Sequence, residues 1–141
     1  MTRRINYIIS EIKDQYLIED NIRPWIIGFS GGKDSTALLQ LVWLALEQIP
    51  KENRQRYIHV VCNDTLVENP IIEEYVNEIL DKIGQAAVKR GMPITVQKTI
   101  PRLEDSFWVN VVGRGYPVPN NTFRWCTDKM KIKPTSRYII E

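Results

Sequence analysis

The seven residues Ser30–Thr36, Ser-Gly-Gly-Lys-Asp-Ser-Thr, constrain the fold more than any other segment of this 141-residue chain. An apolar, strand-like run, Trp25–Phe29, precedes them, and an apolar, helix-like run, Ala37–Leu46, follows them. A glycine turn between a strand and a helix lets the backbone approach a phosphate, and the first N–H groups of the helix lack partners. The segment is therefore predicted to bind an anion.

Spacing excludes two common phosphate-binding patterns. A Walker A loop has four residues between its glycines and a Ser or Thr directly after the lysine. Here Gly28 and Gly32 enclose only three residues, and Asp34 follows Lys33. The dinucleotide-binding pattern G-x-G-x-x-G is absent as well.

The segment resembles instead the PP-loop of the ATP pyrophosphatase superfamily, which reads Ser-Gly-Gly-x-Asp-Ser/Thr after a hydrophobic strand. This resemblance implies that ATP is cleaved between its α and β phosphates. An ordinary Gly-Gly turn before an N-capped helix is the alternative. The resemblance implies catalytic roles for Lys33 and Asp34. The implied nucleotide contacts are Ser30, Gly31, Gly32, Lys33, Asp34, Ser35 and Thr36.

The remaining periodicity predicts an α/β fold with a doubly wound parallel sheet, Rossmann-like and of the adenine nucleotide α-hydrolase type. An amphipathic helix is expected within residues 1–23, and a nucleotide-binding α/β core over residues 24–99. The predicted strands are Trp25–Phe29, Tyr57–Cys62 and Ile94–Lys98, and the predicted helices of the core run from Asp34 to about Gln48 and from Pro70 to about Arg90.

Residues 100–141 show a looser pattern. A short helix is predicted over Leu103–Val112, followed by a Gly- and Pro-rich loop and a loop-like stretch around Cys126. Three strands are few for an open α/β sheet. We therefore expect an N-terminal portion of a longer protein, in which residues 100–141 belong to the same domain and continue into further chain.

Charge is unevenly distributed along the sequence. The chain has a net charge of only +2, but residues 102–137 carry seven basic and three acidic residues, a net of +4. A basic segment near a phosphate loop suggests a polyanionic ligand, although a solvated basic face explains the same pattern. Arg114, Arg124 and Lys129 are the predicted anion contacts.

Cysteine count and hydropathy favour a cytoplasmic protein without a membrane segment. Two cysteines do not form a disulfide framework, and no apolar run approaches the roughly 18 residues of a membrane span. The N-terminus lacks the apolar region of a signal peptide.

Asp64 follows the second predicted strand directly. Ligands of doubly wound sheets bind beyond the carboxyl ends of the strands, so Asp64 is expected to share a crevice with Ser30–Thr36. It would contact the nucleotide or help to hold hydrated Mg²⁺, which commonly takes one or two carboxylates and phosphate oxygens; a turn residue is the alternative. Asp34 is either a further contact or an acid favoured by the helix dipole.

Cys126 lies between Arg124 and Lys129, whose positive charges favour a thiolate. A thiolate can handle sulfur or ligate an iron–sulfur cluster, and an inert cysteine is the alternative. Cys62 completes an apolar strand and is predicted to be core. His59, the only histidine, lies within that strand and is predicted to be structural.

Three segments together resemble the phosphoadenosine phosphosulfate reductase family: the PP-loop, the Asp64-Thr65 strand end with Glu68 and Pro70 after it, and Arg124–Pro134. Within that family, Leu103–Pro117 is similar to the DndC-type sulfurtransferases of DNA phosphorothioation. This resemblance implies ATP and Mg²⁺ as cofactors, an iron–sulfur cluster, DNA as substrate, a cysteine desulfurase as sulfur donor, and other Dnd proteins as partners. The chain lacks the further cysteines that a cluster requires, so the cluster is expected only in the full-length protein, with its other ligands from the missing part or from another chain.

Two alternatives to an ATP-dependent sulfurtransferase follow from the same residues. One is a reductase of phosphoadenosine phosphosulfate, which uses thiols and does not cleave ATP. The other is a nucleotide-binding assembly module without turnover. Pyrophosphate release from ATP, compared with sulfite release from the phosphosulfate, separates the first two.

Overall fold

Three parallel strands in the order β1-β2-β3 form the centre of the computed structural model, which describes residues 2–18 and 23–141. The strands are β1 (Trp25–Gly28), β2 (Ile58–Asn63) and β3 (Ile94–Thr99). Trp25 pairs with Ile58, and Ile58 pairs with Ile94, so the three strands begin at the same level and their carboxyl ends meet at one edge. The predicted α/β parallel sheet is confirmed.

Helices connect the strands as the periodicity predicts. They are α1 (Thr2–Tyr16), α2 (Lys33–Glu47) and α3 (Pro70–Arg90). The α3 helix begins after Asn69, whose side chain accepts the Ile71 N–H at 3.0 Å, and it ends at Gly91 in the left-handed conformation. The predicted N-terminal helix is present, although residues 1 and 19–22 of its segment lie outside the described residues.

Helices α2 and α3 cover one face of the sheet and form the main core with it. Every second residue of β2 faces this core, and each buried aliphatic side chain stabilises the fold by about 1.5–3 kcal/mol. The strand residues involved are Ile58, Val60 and Cys62, and the helix residues include Leu39, Val42, Leu46, Val76 and Leu80. The prediction that Cys62 belongs to the core is confirmed.

The predicted helix Leu103–Val112 is wrong in its first half. The structure has a 3₁₀ turn at Leu103–Asp105 and, after Ser106, a helical segment that widens into a π-helical turn at Val109–Gly113. Asn110 is fully buried, and its amide donates to the Glu104 carbonyl at 3.1 Å and to the Ser106 carbonyl at 2.7 Å. The Glu104 carbonyl thus bonds to a side chain, whereas the Ser106 carbonyl also accepts the Asn110 backbone N–H at 3.2 Å, so helical bonding begins at Ser106 and not at Leu103.

The loop predicted around Cys126 is also wrong. Helix α4 (Trp125–Thr127), a π-helical turn (Asp128–Ile132) and α5 (Lys133–Ile140) follow one another without a break, and we refer to them together as the C-terminal helix. Pro134 lacks the N–H that a regular helix requires, and the wider turn before it accommodates this loss.

The C-terminal helix lies on the face of the sheet opposite α2 and α3. Its Tyr138 hydroxyl lies 2.8 Å from His59 Nδ1, and its Thr135 hydroxyl donates to Asn63 Oδ1 at 2.9 Å. His59 and Asn63 alternate along β2 with the core residues, so helices cover both faces and the sheet is doubly wound. None of the helices that the structure describes is long and apolar enough to cross a membrane.

Candidate nucleotide-binding site

The segment between β1 and α2 is a tight turn that ends at the helix N-terminus. Gly31 has φ +77°, a left-handed conformation that favours glycine, and Gly32 is the N-cap of α2. No side chain caps the first turn of α2, so its N–H groups remain free for a ligand. The exposed Lys33 begins the helix and forms no ion pair among the described residues.

The hydroxyl groups of the turn bond to the turn itself. Ser35 Oγ accepts the Ser30 N–H at 3.3 Å and donates to the Gly32 carbonyl at 3.1 Å. Thr36 Oγ1 donates to the same carbonyl at 2.8 Å. These bonds hold the turn in shape before any ligand arrives, which lowers the entropic cost of ordering the backbone on binding.

A cavity of about 260 Å³ opens where the carboxyl ends of the strands meet. Its walls come from all three strands, from the loop and first turns of α3, and from the C-terminal helix. The lining residues are Gly28, Phe29, Ser30, Cys62, Asn63, Asp64, Glu68, Ile72, Glu73, Val76, Lys98 and Lys131. Ser30 and Asp64, which are 34 positions apart, therefore reach one cavity, at the edge of the sheet where ligands of such folds bind.

Asp64 is buried and forms an ion pair with Lys98, whose Nζ lies 2.9 Å from Oδ2. The other oxygen, Oδ1, accepts the Leu66 N–H at 2.9 Å. Burial by itself would raise the pKa of Asp64, but these hydrogen bonds and the Lys98 charge outweigh it and lower the pKa. The hydrogen bond to Asp64 correspondingly raises the pKa of Lys98, so both groups are charged at neutral pH.

Two lysines of the cavity were not predicted from the sequence. Lys98 pairs with Cys62 in the β2–β3 register, and this predicts that the two side chains share a face. Lys131 reaches the cavity from the C-terminal helix, one turn before the Thr135–Asn63 hydrogen bond. The pairing of β2 with β3 would have indicated the position of Lys98. The position of Lys131 depends on a helix that the sequence pattern did not predict.

The other predicted anion contacts do not line the cavity. Lys129 lies 3.3 Å from Asp105 and 5.8 Å from the centre of the Tyr116 ring. Arg114 approaches Asn110 Oδ1 at 3.4 Å, and Arg124 is exposed at the start of the C-terminal helix. These three side chains therefore lie on the surface of residues 102–137 or contact other side chains of that segment.

Cys126 lies half-buried in the first turn of the C-terminal helix and is not among the residues that line the cavity. Cys62 is buried at the bottom of the cavity, and burial raises the pKa of its thiol although Lys98 opposes this effect. No group of three or more metal-ligating side chains occurs within the described parts of the chain. Since a cluster requires four protein ligands, these two cysteines do not fit an iron–sulfur cluster.

A magnesium ion needs fewer protein ligands than an iron–sulfur cluster does. Mg²⁺ bound with a nucleotide takes one or two carboxylates, while phosphate oxygens and water supply the rest. The carboxylates of Asp64, Glu68 and Glu73 line the cavity. Asp64 and Glu73 face Lys98, at 2.9 and 3.6 Å, and Glu68 accepts a hydrogen bond from Thr65. The donor chemistry therefore fits a magnesium–nucleotide complex, with Glu68 the carboxylate that no lysine pairs among the described residues.

Comparison with known proteins agrees with this geometry. Residues 24–141 match the model of the phosphoadenosine phosphosulfate reductase domain. The chain is 33% identical over 133 residues to an uncharacterized protein of Methanocaldococcus jannaschii. The match covers 94% of this chain and 23% of that protein, so the chain spans about a quarter of the relative's length. No solved structure matches the chain significantly.

Proposed function

The chain belongs to the phosphoadenosine phosphosulfate reductase domain family, and from this premise we propose that it is the nucleotide-binding part of an ATP-dependent sulfurtransferase. The observation that carries the proposal is the cavity that Ser30, the first residue of the glycine turn, shares with the Asp64–Lys98 pair and Lys131; the other six residues of the turn do not line it. The free N–H groups at the start of α2 and the positive charges of Lys98 and Lys131 suit a polyphosphate.

In the proposed reaction, ATP activates a phosphate group of DNA. A non-bridging oxygen of that phosphate attacks the α-phosphorus of ATP, and pyrophosphate leaves. Hydrosulfide then attacks the phosphorus of the adenylated DNA phosphate, AMP leaves with the oxygen, and a phosphorus–sulfur bond replaces the phosphorus–oxygen bond. A cysteine desulfurase would supply the sulfur as a protein persulfide. A thiol reductant would convert that persulfide to hydrosulfide, and the thiol would end as a disulfide. Other Dnd-type proteins would present the DNA.

Each part of the cavity has a role in this proposal. The N–H groups after Gly32, together with Lys33 and Lys131, would stabilise negative charge on the departing pyrophosphate. Magnesium would offset charge on the phosphates, with Glu68 as its first candidate ligand. Lys98 keeps Asp64 ionised, so Asp64 is suited to accept hydrogen bonds from the ribose or to bond a magnesium-bound water.

The basic surface of residues 102–137 would hold the DNA backbone, with Arg114 and Arg124 as contacts. Cys126 lies at the start of the C-terminal helix and outside the cavity, so in this proposal it would hold sulfur only before the sulfur enters the cavity. An iron–sulfur cluster does not fit the two cysteines of this chain, and no step of the proposed reaction is assigned to one.

Two other functions use the same cavity. A phosphoadenosine phosphosulfate reductase would bind its nucleotide there and release sulfite without ATP cleavage, and the family match favours it as the second candidate. An assembly module would bind nucleotide without turnover. The test is to incubate the longer protein with ATP, DNA and hydrosulfide, and separately with the phosphosulfate and a thiol reductant. Release of pyrophosphate and AMP supports the sulfurtransferase, release of sulfite supports the reductase, and binding without product supports the module.

A further inference from the structure

Five large apolar side chains are exposed on the loop before α3 and on its first two turns. We call them the α3 surface: Leu66, Val67, Ile71, Ile72 and Tyr75, with exposed fractions of 54%, 39%, 77%, 50% and 54%. Large exposed apolar patches on soluble proteins mark interaction sites. An exposed tyrosine among aliphatic residues is typical of the energetic centre of a protein–protein interface.

The charges around the α3 surface select the kind of partner. No Lys or Arg occurs between Arg56 and Lys82, whereas six Asp and Glu residues do. Asp64 and Glu73 are paired with Lys98, and Glu78 is paired with Lys82. The other three, Glu68, Glu74 and Asp81, form no ion pair among the described residues, and Glu68 and Glu74 lie beside the α3 surface. This acidic rim repels the phosphates of a polynucleotide and attracts a protein that carries Lys and Arg.

The α3 surface is continuous with the mouth of the cavity. Ile72 belongs both to this surface and to the cavity lining, and the Leu66 N–H bonds to the carboxylate of Asp64 inside the cavity. A protein docked on the α3 surface would therefore sit where a small reactive group can enter the cavity. The basic residues 102–137, which follow β3, would stay available for the polynucleotide.

We propose that the α3 surface docks the protein that delivers sulfur to this site, through a contact area of apolar side chains surrounded by Lys and Arg. The proposal rests on the proposed function, because it assumes that sulfur is transferred at the cavity. It assigns the two macromolecular partners to different sides of the cavity, with the protein on the acidic α3 side and the polynucleotide on the basic side.

The test uses two variants of the α3 surface and two matched controls. The double variant Ile71→Ser/Tyr75→Ser removes the apolar centre, and Glu74→Lys reverses the rim charge. Val88→Ser is the apolar control, since Val88 is 85% exposed in the last turns of the same helix. Glu52→Lys is the charge control, in the exposed turn Lys51–Asn53 before β2. The purified cysteine desulfurase encoded in the same genome is the probe, and its affinity for the longer protein is measured by calorimetry.

We expect both α3-surface variants to weaken desulfurase binding by about tenfold or more, as at interface centres. The two controls should match the wild type, and all four variants should keep wild-type affinity for ATP and DNA. Four results would overturn the proposal: no binding of the desulfurase by the wild type, equal binding by the surface variants, loss of DNA binding in those variants, or a wild-type dimer that they dissociate. Absent ATP cleavage in the wild type would instead refute the proposed function, and a docking defect confined to the α3-surface variants would still stand.

Discussion

Gly31 lies so close to Val76 that a Cβ atom on Gly31 would be 2.7 Å from Val76 Cγ2. Gly31 also has φ +77°, so the turn requires glycine both for its backbone and for its packing against α3. The contact joins the turn between β1 and α2 to helix α3, whose first turns line the cavity.

Gly31→Ala should therefore destabilise the protein by about 2–4 kcal/mol, because a left-handed alanine and a clash each cost about 1–3 kcal/mol. Gly84→Ala is the matched control, since an added Cβ there meets nothing within 4 Å and Gly84 lies inside α3. That control should gain about 0.5–1 kcal/mol. Urea unfolding measures both values, and equal stability of Gly31→Ala and the wild type would contradict the observed packing.

Lys33→Ala should lower ATP affinity by about tenfold, since hydrogen bonds to charged groups contribute about 1.5–3 kcal/mol. Its free energy of unfolding should change by less than about 0.5 kcal/mol because the side chain is exposed and unpaired. Ser35→Ala should also weaken ATP binding, but it should cost about 1 kcal/mol of stability as well, because Ser35 bonds to Ser30 and Gly32. Calorimetry and urea unfolding separate the two effects, and unchanged ATP affinity in both variants would refute the PP-loop assignment.

The ion pair between Asp64 and Lys98 should make the stability of the protein depend on pH. The pKa of Asp64 is lowered from its ordinary value of 3.8, so its contribution to stability is complete above that pH and is lost as pH falls through the lower folded value. Asp64→Asn should cost about 1–3 kcal/mol at pH 7, because Lys98 then lacks its buried partner.

The difference between the wild type and Asp64→Asn should shrink in acid below pH 3.8, where the carboxylate of the unfolded wild type becomes protonated, and it should be lost as pH falls through the lower pKa of the folded protein. Urea unfolding at pH 7 and at about pH 3 measures it. The pKa of Lys98 is raised from 10.5, so the contribution of Lys98 should be lost only above that pH. A stability difference that is the same at pH 7 and pH 3 would show that Asp64 is not ionised in the folded protein.

Cys126 should react faster than Cys62 with iodoacetamide at pH 7. Cys62 is buried and burial raises the pKa of its thiol, whereas Cys126 is half-buried at the start of a helix. Peptide mass spectrometry over time gives both rates. In the longer protein, Cys126→Ser should lower sulfur incorporation into DNA and leave ATP affinity unchanged; full incorporation by this variant would reduce Cys126 to a structural residue.

The sequence pattern predicted the secondary structure well from β1 to β3, where the local signals for strands and helices agree. Strand and helix periodicities alternate there, and the predicted limits of α3, Pro70 and Arg90, are those of the structure. The shared crevice followed from one topological rule, which places the ends of parallel strands at one edge. No comparable signal exists after Ile100.

The C-terminal helix was not predicted because its tertiary contacts stabilise it more than the helix propensity of its own residues does. Pro134 argues against a helix, yet His59, Asn63 and Asp105 hold its side chains in place. Lys131 enters the cavity only as a result of that docking. The local sequence pattern gives no indication that Lys131 lies at the cavity.

The measurement that tests the proposed function most directly uses ATP labelled at the α-phosphate, with DNA, hydrosulfide and the longer protein. We predict labelled AMP together with one pyrophosphate for each phosphorothioate formed, and a loss of both in Lys33→Ala. Labelled ADP with inorganic phosphate, or phosphorothioate formed without any ATP cleavage, would contradict the proposed reaction.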